Sequence, residues 1–160
     1  MKFILALTFL IPSMSFANSI FTVSKSIKEK NVLHYRAVVK NCKLVAPYVT
    51  NHWVMGEEKG QTEGLTNQEK KFFEPKVGYA KDNEVDFTLG AMKELKLGAN
   101  DFKKITVQMK GCKAVAVSDY KNEEITVKNI HLQATLLSVS GATITGTKAN
   151  GSRFILNVKK

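Results

Sequence analysis

Apolar and polar residues alternate along most of the chain with a period of two, the spacing that turns one face of a β-strand inward and the other toward water. Ile105–Met109 alternates cleanly, and Val32–Val39 and Val49–Met55 are β-rich runs separated by Asn41–Lys43 and Pro47. The same reading predicts strands at Ile20–Ser24, Val77–Lys81, Val85–Leu89 and Lys113–Val117. It continues through Ile125–Val127, Ile130–Val139, Ala142–Thr147 and Phe154–Val158. Turn chemistry lies between these runs at Gly98–Asp101, Lys110-Gly111, Tyr120–Glu123, Ser140-Gly141 and Asn150-Gly151. Asn150-Gly151, set between alternating segments, predicts a type I′ hairpin.

One stretch departs from the period. Leu65–Phe73 is rich in helix formers, Thr66 and Glu69 stand at capping-box spacing, and Pro75 follows. These signals predict a helix of about two turns over residues 66–73. A Gly-rich loop, Gly56–Gly64, precedes it. Many short strands with one short helix predict a mainly β fold, a single antiparallel sandwich or barrel.

The N-terminal segment reads as an address. Met1-Lys2 leads into the apolar run Phe3–Ile11, then Pro12 and the small residues before Ala17, with Ser15 and Ala17 in cleavage-site spacing. That is the pattern of a secretory signal peptide, residues 1–17, cleaved after Ala17 to leave a single domain at 18–160. Its apolar run is far short of the roughly 20 residues needed to cross a bilayer, so the expected product is exported, periplasmic or secreted, and soluble.

Export changes the reading of the two cysteines in the chain, Cys42 and Cys112. An oxidising compartment favours a disulfide between them, and neither lies in a catalytic or metal-binding signature. The alternative is a pair of reduced structural thiols.

The 160 residues carry a formal net charge of +10, unevenly placed. Residues 18–48 sum to +5 and residues 49–101 to −3, while residues 125–160 hold five basic and no acidic side chains. Basic ends around an acidic middle point to anionic surroundings. The basic stretches lack the aromatic interleaving of a nucleic-acid platform, and export argues against that partner.

Catalytic chemistry has little support. His34, His52 and His131 lack zinc-motif spacing, so no metal and no cofactor is implied. Glu57, Glu58, Glu63, Glu69 and Glu74 interleave with lysines as a solvated face does, and Glu69 is accounted for as a helix cap. His34, Tyr35, His52, Trp53 and Glu69 form the candidate functional cluster, because the two histidines lie in consecutive predicted strands beside the two aromatics.

The order Asn31-x-x-x-Tyr35, Pro47, Trp53-Val-Met55, Gly60 and Leu65-Thr-x-x-Glu69 resembles the bacterial domain-of-unknown-function 4833 family of small exported proteins. Ile130-His-Leu132, Val139–Gly146 and Gly151 before a final strand extend the resemblance over most of residues 20–158. It implies export and a β-rich single domain, with no established activity and no catalytic residue to carry over. It also implies structural roles: Tyr35 and Trp53 in the core, Leu65 packing the helix and Glu69 capping it. The two cysteines are not part of that pattern.

The expected function is that of a non-enzymatic exported domain associating with an anionic envelope component, lipid or polysaccharide. The alternatives are an envelope interaction protein that pairs through a sheet edge with another envelope protein, and a hydrolase using the Glu57–Glu74 region with His52 and Trp53.

Overall fold

A computed structural model of the chain describes residues 16–25, 31–56, 61–96, 102, 104–134 and 139–160. Eleven strands and two short helices lie among them: β1 (Phe16–Lys25), β2 (Val32–Lys40), β3 (Lys43–Val54), β4 (Thr62–Glu63), α1 (Asn67–Phe73), β5 (Lys76–Lys81), β6 (Glu84–Thr88), α2 (Gly90–Glu94), β7 (Ile105–Lys110), β8 (Lys113–Tyr120), β9 (Glu123–Ala134), β10 (Val139–Lys148) and β11 (Arg153–Lys159). Of the segment expected to be a signal peptide, residues 1–15 lie outside the described residues, and Phe16 and Ala17 open β1. The mainly β expectation holds: the strands form one curled sheet, a half-barrel.

Strand order in the sheet is β4-β3-β2-β1-β9-β8-β7-β6-β5, with β10 on the other edge of β9 and β11 beyond it. The hinge of this arrangement is β9. Its first residues pair with β8, and its later ones pair in parallel with β1, through Thr22↔Asn129 to Lys25↔Leu132. The β1–β9 parallel pair corrects the expectation of a wholly antiparallel sheet. Because β8 and β1 share one edge of β9, the sheet divides there into two walls that curl toward each other. Phe21, Tyr35 and Phe87 stack across the interior, with ring centroids 4.4 Å apart for Phe21–Tyr35 and 6.1 Å for Phe21–Phe87.

Lys128 explains why the sequence reads β9 as two strands. Thr145 pairs with Asn129 and Gly146 with Val127, so Lys128 is an extra, bulged residue. Ile125 and Val127 face inward before the bulge, and Ile130 and Leu132 face inward after it. A one-residue insertion inverts the inward parity, so the apolar alternation is interrupted while the strand is not. At this bulge Gly146 lies against β9, where an added Cβ would collide with the Thr126 carbonyl oxygen.

β3 also runs through a break. Val39 pairs with Leu44 and Ala37 with Val49, so residues 45–48 bulge out around Pro47, the setting in which a sheet tolerates a proline.

Hairpin chemistry differs from the sequence reading at one turn. Gly151 takes φ 81° and Asn150 does not turn positive, while the Gly151 N–H donates to the Lys148 carbonyl at 2.9 Å. This is a three-residue loop with glycine at the left-handed position rather than type I′. Type I′ geometry occurs instead at Asn41-Cys42 (φ 51° and 58°) and Lys121-Asn122 (φ 50° and 66°).

Two further differences concern short elements. Thr62 and Glu63 pair with Val54 and Trp53 inside the expected Gly-rich loop. A second helix, α2, adds to the one expected. It has no side-chain cap and begins at Gly90, so its sequence carries no start signal; burial of Ala91 and Met92 supplies the stabilisation. Gly90 packs against the Lys71 carbonyl of α1, closer than any side chain would permit. The two helices lie at the end of the curl opposite the Asn41-Cys42 turn.

Candidate functional site

Strand parity divides the five-residue candidate cluster into two groups on opposite faces of β2 and β3. Tyr35 and Trp53 point inward and are buried, together with Leu33 and Val49. His34 and His52, one residue away in each strand, point outward and are half-buried.

The inward group is a latch that holds α1 against the sheet. A helix leaves its last carbonyls without intrahelical partners. The Phe73 carbonyl accepts the Tyr35 hydroxyl at 2.6 Å and the Asn51 side-chain amide at 2.9 Å. Burial pushes the Tyr35 phenol well above its ordinary range, against a smaller opposing effect of Asn51, so it remains a neutral donor. Trp53 meets Phe73 edge-on at 6.0 Å, and the Lys25 ammonium lies 4.6 Å from the Trp53 ring centroid.

Lys25 continues to Glu69 at 3.1 Å. Glu69 closes the capping box: its carboxylate accepts the Thr66 N–H at 3.0 Å and the Thr66 hydroxyl at 2.9 Å. Partial burial raises the Glu69 carboxyl, but the Thr66 hydrogen bonds and Lys25 outweigh it, and the net direction is downward. Leu65 packs against the same core. Tyr35, Trp53 and Glu69 therefore hold α1 in place, with Leu65 packed against the adjoining core.

The outward group sits in a broad, mainly polar face interrupted by Val32, Val54 and Ile155. His34 and His52 are directly opposed, with ring centroids 5.9 Å apart and planes 24° from parallel. The registers continue this position across the sheet as His52, His34, Thr22, Asn129, Thr145 and Ile155. The next row is Val54, Val32, Ser24, His131, Thr143 and Asn157. Hydrogen bonds run along both rows: the Asn129 amide donates to the Thr22 hydroxyl at 2.9 Å, Ser24 Oγ meets His131 Nδ1 at 2.9 Å, and Thr143 donates to Asn157 Oδ1 at 2.8 Å. Arg36 stands two residues from His34 on the same face, paired with Thr50.

Both imidazoles are held below their ordinary value of 6.5. For His34 the causes are burial and then Arg36; for His52 they are burial, Arg36 and His34. Among the described residues, His52 Nε2 is shut off from solvent and has no hydrogen-bond partner.

His131 lies two strands from His34, and Glu69 is on the opposite face of the sheet, so neither joins the histidine pair. Of the carboxylates in the hydrolase reading, Glu57 and Glu58 lie outside the described residues. Glu63 is opposite Trp53 in β4, Glu69 caps α1 and Glu74 is exposed at its C-terminal end. None of these three is brought to His52. Among the described residues, no group of three or more His, Cys, Asp or Glu side chains is placed to hold a metal.

Cys42 and Cys112 are disulfide-bonded, with Cα atoms 4.4 Å apart. Each stands in a two-residue hairpin turn, between Lys40 and Lys43 or between Lys110 and Lys113. The bond ties one wall of the curl to the other. The Leu44 N–H reinforces this junction by donating to the Asp82 carbonyl at 2.7 Å.

A groove of about 660 Å³ lies across β6–β8, with Glu84, Lys104, Gln108, Asp119 and Lys121 among its lining residues. Its charges are mixed and partly satisfied internally: Lys104 pairs with Asp86, which also accepts the Thr106 hydroxyl at 2.6 Å.

The sequence reading missed Thr22, Ser24, Arg36, Asn129, Thr143, Thr145 and Asn157 as members of one surface. Their signal was their polar, β-branched or amide character at outward positions. Their assembly depends on the β1–β9 parallel pairing, which no local pattern announces.

Comparison with known proteins finds no matching family model, curated protein or solved structure.

Proposed function

We propose that this chain is an exported, non-enzymatic domain that binds an anionic polysaccharide of the cell envelope on the outward face of β3-β2-β1-β9-β10-β11. One observation carries the reading: the two polar rows and the adjoining Arg36 offer hydroxyls, amides, imidazoles and a guanidinium, without a carboxylate. β11 extends the same face with outward Arg153 and Lys159, at the registers of Thr147 and Gly141. Hydroxyl and amide rows suit the alternating hydroxyls of a sugar chain, and the cations suit its acidic groups. Residues 125–160 contain no acidic side chain, which favours the same sign of partner. The reading keeps the expected export, and with it the family resemblance.

The test is binding of dextran sulfate against uncharged dextran. Dextran sulfate should bind and weaken steeply as salt rises from about 20 to about 500 mM, because exposed charges are screened. An R36Q/R153Q/K159Q variant should bind about tenfold more weakly, from three surface contacts of about 0.5 kcal/mol each. Equal binding of uncharged dextran, or no effect of salt, would contradict the reading.

A second reading, partner binding through a sheet edge, is favoured by β5. It ends the strand order, and Val77 and Tyr79 on it are 43% and 44% exposed. Such an edge suits an extended strand from another envelope protein. A purified partner whose binding is lost in V77K/Y79K and retained in R36Q/R153Q/K159Q would favour this reading.

A further inference from the structure

We propose that His34, His52 and Arg36 form an oxyanion site that takes a sulfate, phosphate or carboxylate group and holds it more tightly as pH falls. The inference rests on the polysaccharide reading only for the source of that group; the site itself follows from the side chains.

Their placement comes from strand geometry. Directly opposed residues of an antiparallel pair bring their Cβ atoms within about 5 Å, and residues two apart in one strand share a face. His34 and His52 meet this way, at 5.9 Å between ring centroids, with Arg36 next along β2. Three nitrogen-bearing side chains thus converge on one patch, one permanently charged and two able to gain a proton.

The surroundings leave that charge unbalanced. β1 presents Thr22 beside His34, β3 presents Thr50 beside Arg36, and β4 places Thr62 opposite Val54. The one carboxylate on β4, Glu63, stands opposite Trp53, whose side chain is on the inward face. Among the described residues of these elements, then, nothing acidic faces the pair. Arg36 opposes protonation of both rings, and burial acts in the same direction.

An external oxyanion offsets the Arg36 effect. It neutralises the guanidinium and accepts imidazole N–H groups of the two half-buried rings. By linkage, a ligand that favours the protonated pair is itself bound more tightly by it. A divalent metal suits the patch less well. Two imidazoles fall short of the usual three or four protein ligands, and Arg36 repels the cation.

Sulfate is the probe, because its own charge does not change over the range in which histidine titrates. NMR titration of the His34 and His52 ring resonances should show both apparent pKa values rising in the presence of sulfate. Sulfate affinity should tighten about tenfold between about pH 7.5 and about pH 5.5, a coupling of ordinary size. H34Q/H52Q should lose that tightening, and R36Q should weaken sulfate at both pH values. Thermal melts of these variants check that the fold is kept. Histidine titrations unmoved by sulfate would overturn the site. So would zinc binding that H34Q/H52Q abolishes, if sulfate leaves the rings untouched.

Two further arms separate this inference from the function proposed above and identify the source of the group. If dextran sulfate binds in a salt-sensitive manner but equally at both pH values, the site fails and the polysaccharide reading stands. If sulfate moves the rings while dextran sulfate does not bind and phosphatidylglycerol vesicles do, the site stands and its source is a lipid headgroup.

Discussion

The two faces of the β2–β3 ribbon carry neighbouring residues with opposite tasks. Tyr35 and Trp53 point inward, where Tyr35 stacks on Phe21 and donates to the Phe73 carbonyl of α1, and Trp53 meets Phe73 and Lys25. His34 and His52 point outward, where they meet each other and Arg36, and their protonation is disfavoured. A residue's place in a motif therefore says less than its parity in the strand. Adjacent candidates in sequence, His34 with Tyr35 and His52 with Trp53, separate into an outward pair and an inward structural pair.

Substitution should expose that asymmetry most strongly at Tyr35. Tyr35→Ala removes a fully buried ring from the aromatic stack and one of two donors to the Phe73 carbonyl. Denaturant unfolding should show a loss of about 3–5 kcal/mol. His34→Gln, one residue away on the half-buried face, should change stability by less than about 0.5 kcal/mol. Comparable losses at the two positions would break the division between the faces.

Next in size is the disulfide. Cys42 and Cys112 are 70 residues apart in sequence, and their bond joins hairpin turns from the two walls. Cys42→Ser/Cys112→Ser should lower stability by about 4 kcal/mol on the chain-entropy model, and by less where the reduced chain keeps residual structure. The midpoint of unfolding should fall while dextran sulfate binding by the folded fraction persists, because neither turn contributes to the polar rows.

A smaller effect separates the faces by pH. Glu69 is depressed below its ordinary 4.5, so the stability it contributes is present above that value and lost as pH falls through its folded-state value. Glu69→Gln should cost about 1 kcal/mol at neutral pH, the size of a helix cap, and should flatten the stability profile below pH 4.5. His34 and His52 are depressed below 6.5, so stability in the absence of ligand is fully present above that pH and declines as pH falls below it. H34Q/H52Q should remove that earlier decline and leave the Glu69 step in place. Melting curves against pH resolve the two windows.

Much of the fold was legible because its signals are local. The alternation at Ile105–Met109 became β7, and the spacing of Thr66 and Glu69 became a formed capping box at the start of α1. The cysteine pairing was legible once export was argued. What stayed hidden depended on distant partners. Lys128 inverts parity within β9 because β10 pairs on either side of it, and α2 is stabilised by burial against α1 rather than by its own five residues. The candidate site was legible in its histidines and illegible in its extent. Thr22 and Asn129 stand side by side through a parallel pairing across 107 residues. Arg36, unremarkable in a list of basic residues, gains significance from lying on the face of His34 and His52.

The central claim is that the outward face is a site for acidic ligands whereas the inward face holds the helix. The most direct measurement is the affinity of dextran sulfate for the folded chain and for R36Q/R153Q/K159Q, at low and high salt. The account predicts salt-sensitive binding by the parent chain and about tenfold weaker binding by the variant, with unfolding midpoints that nearly coincide. Equal affinities for the two proteins, or binding indifferent to salt, would contradict it.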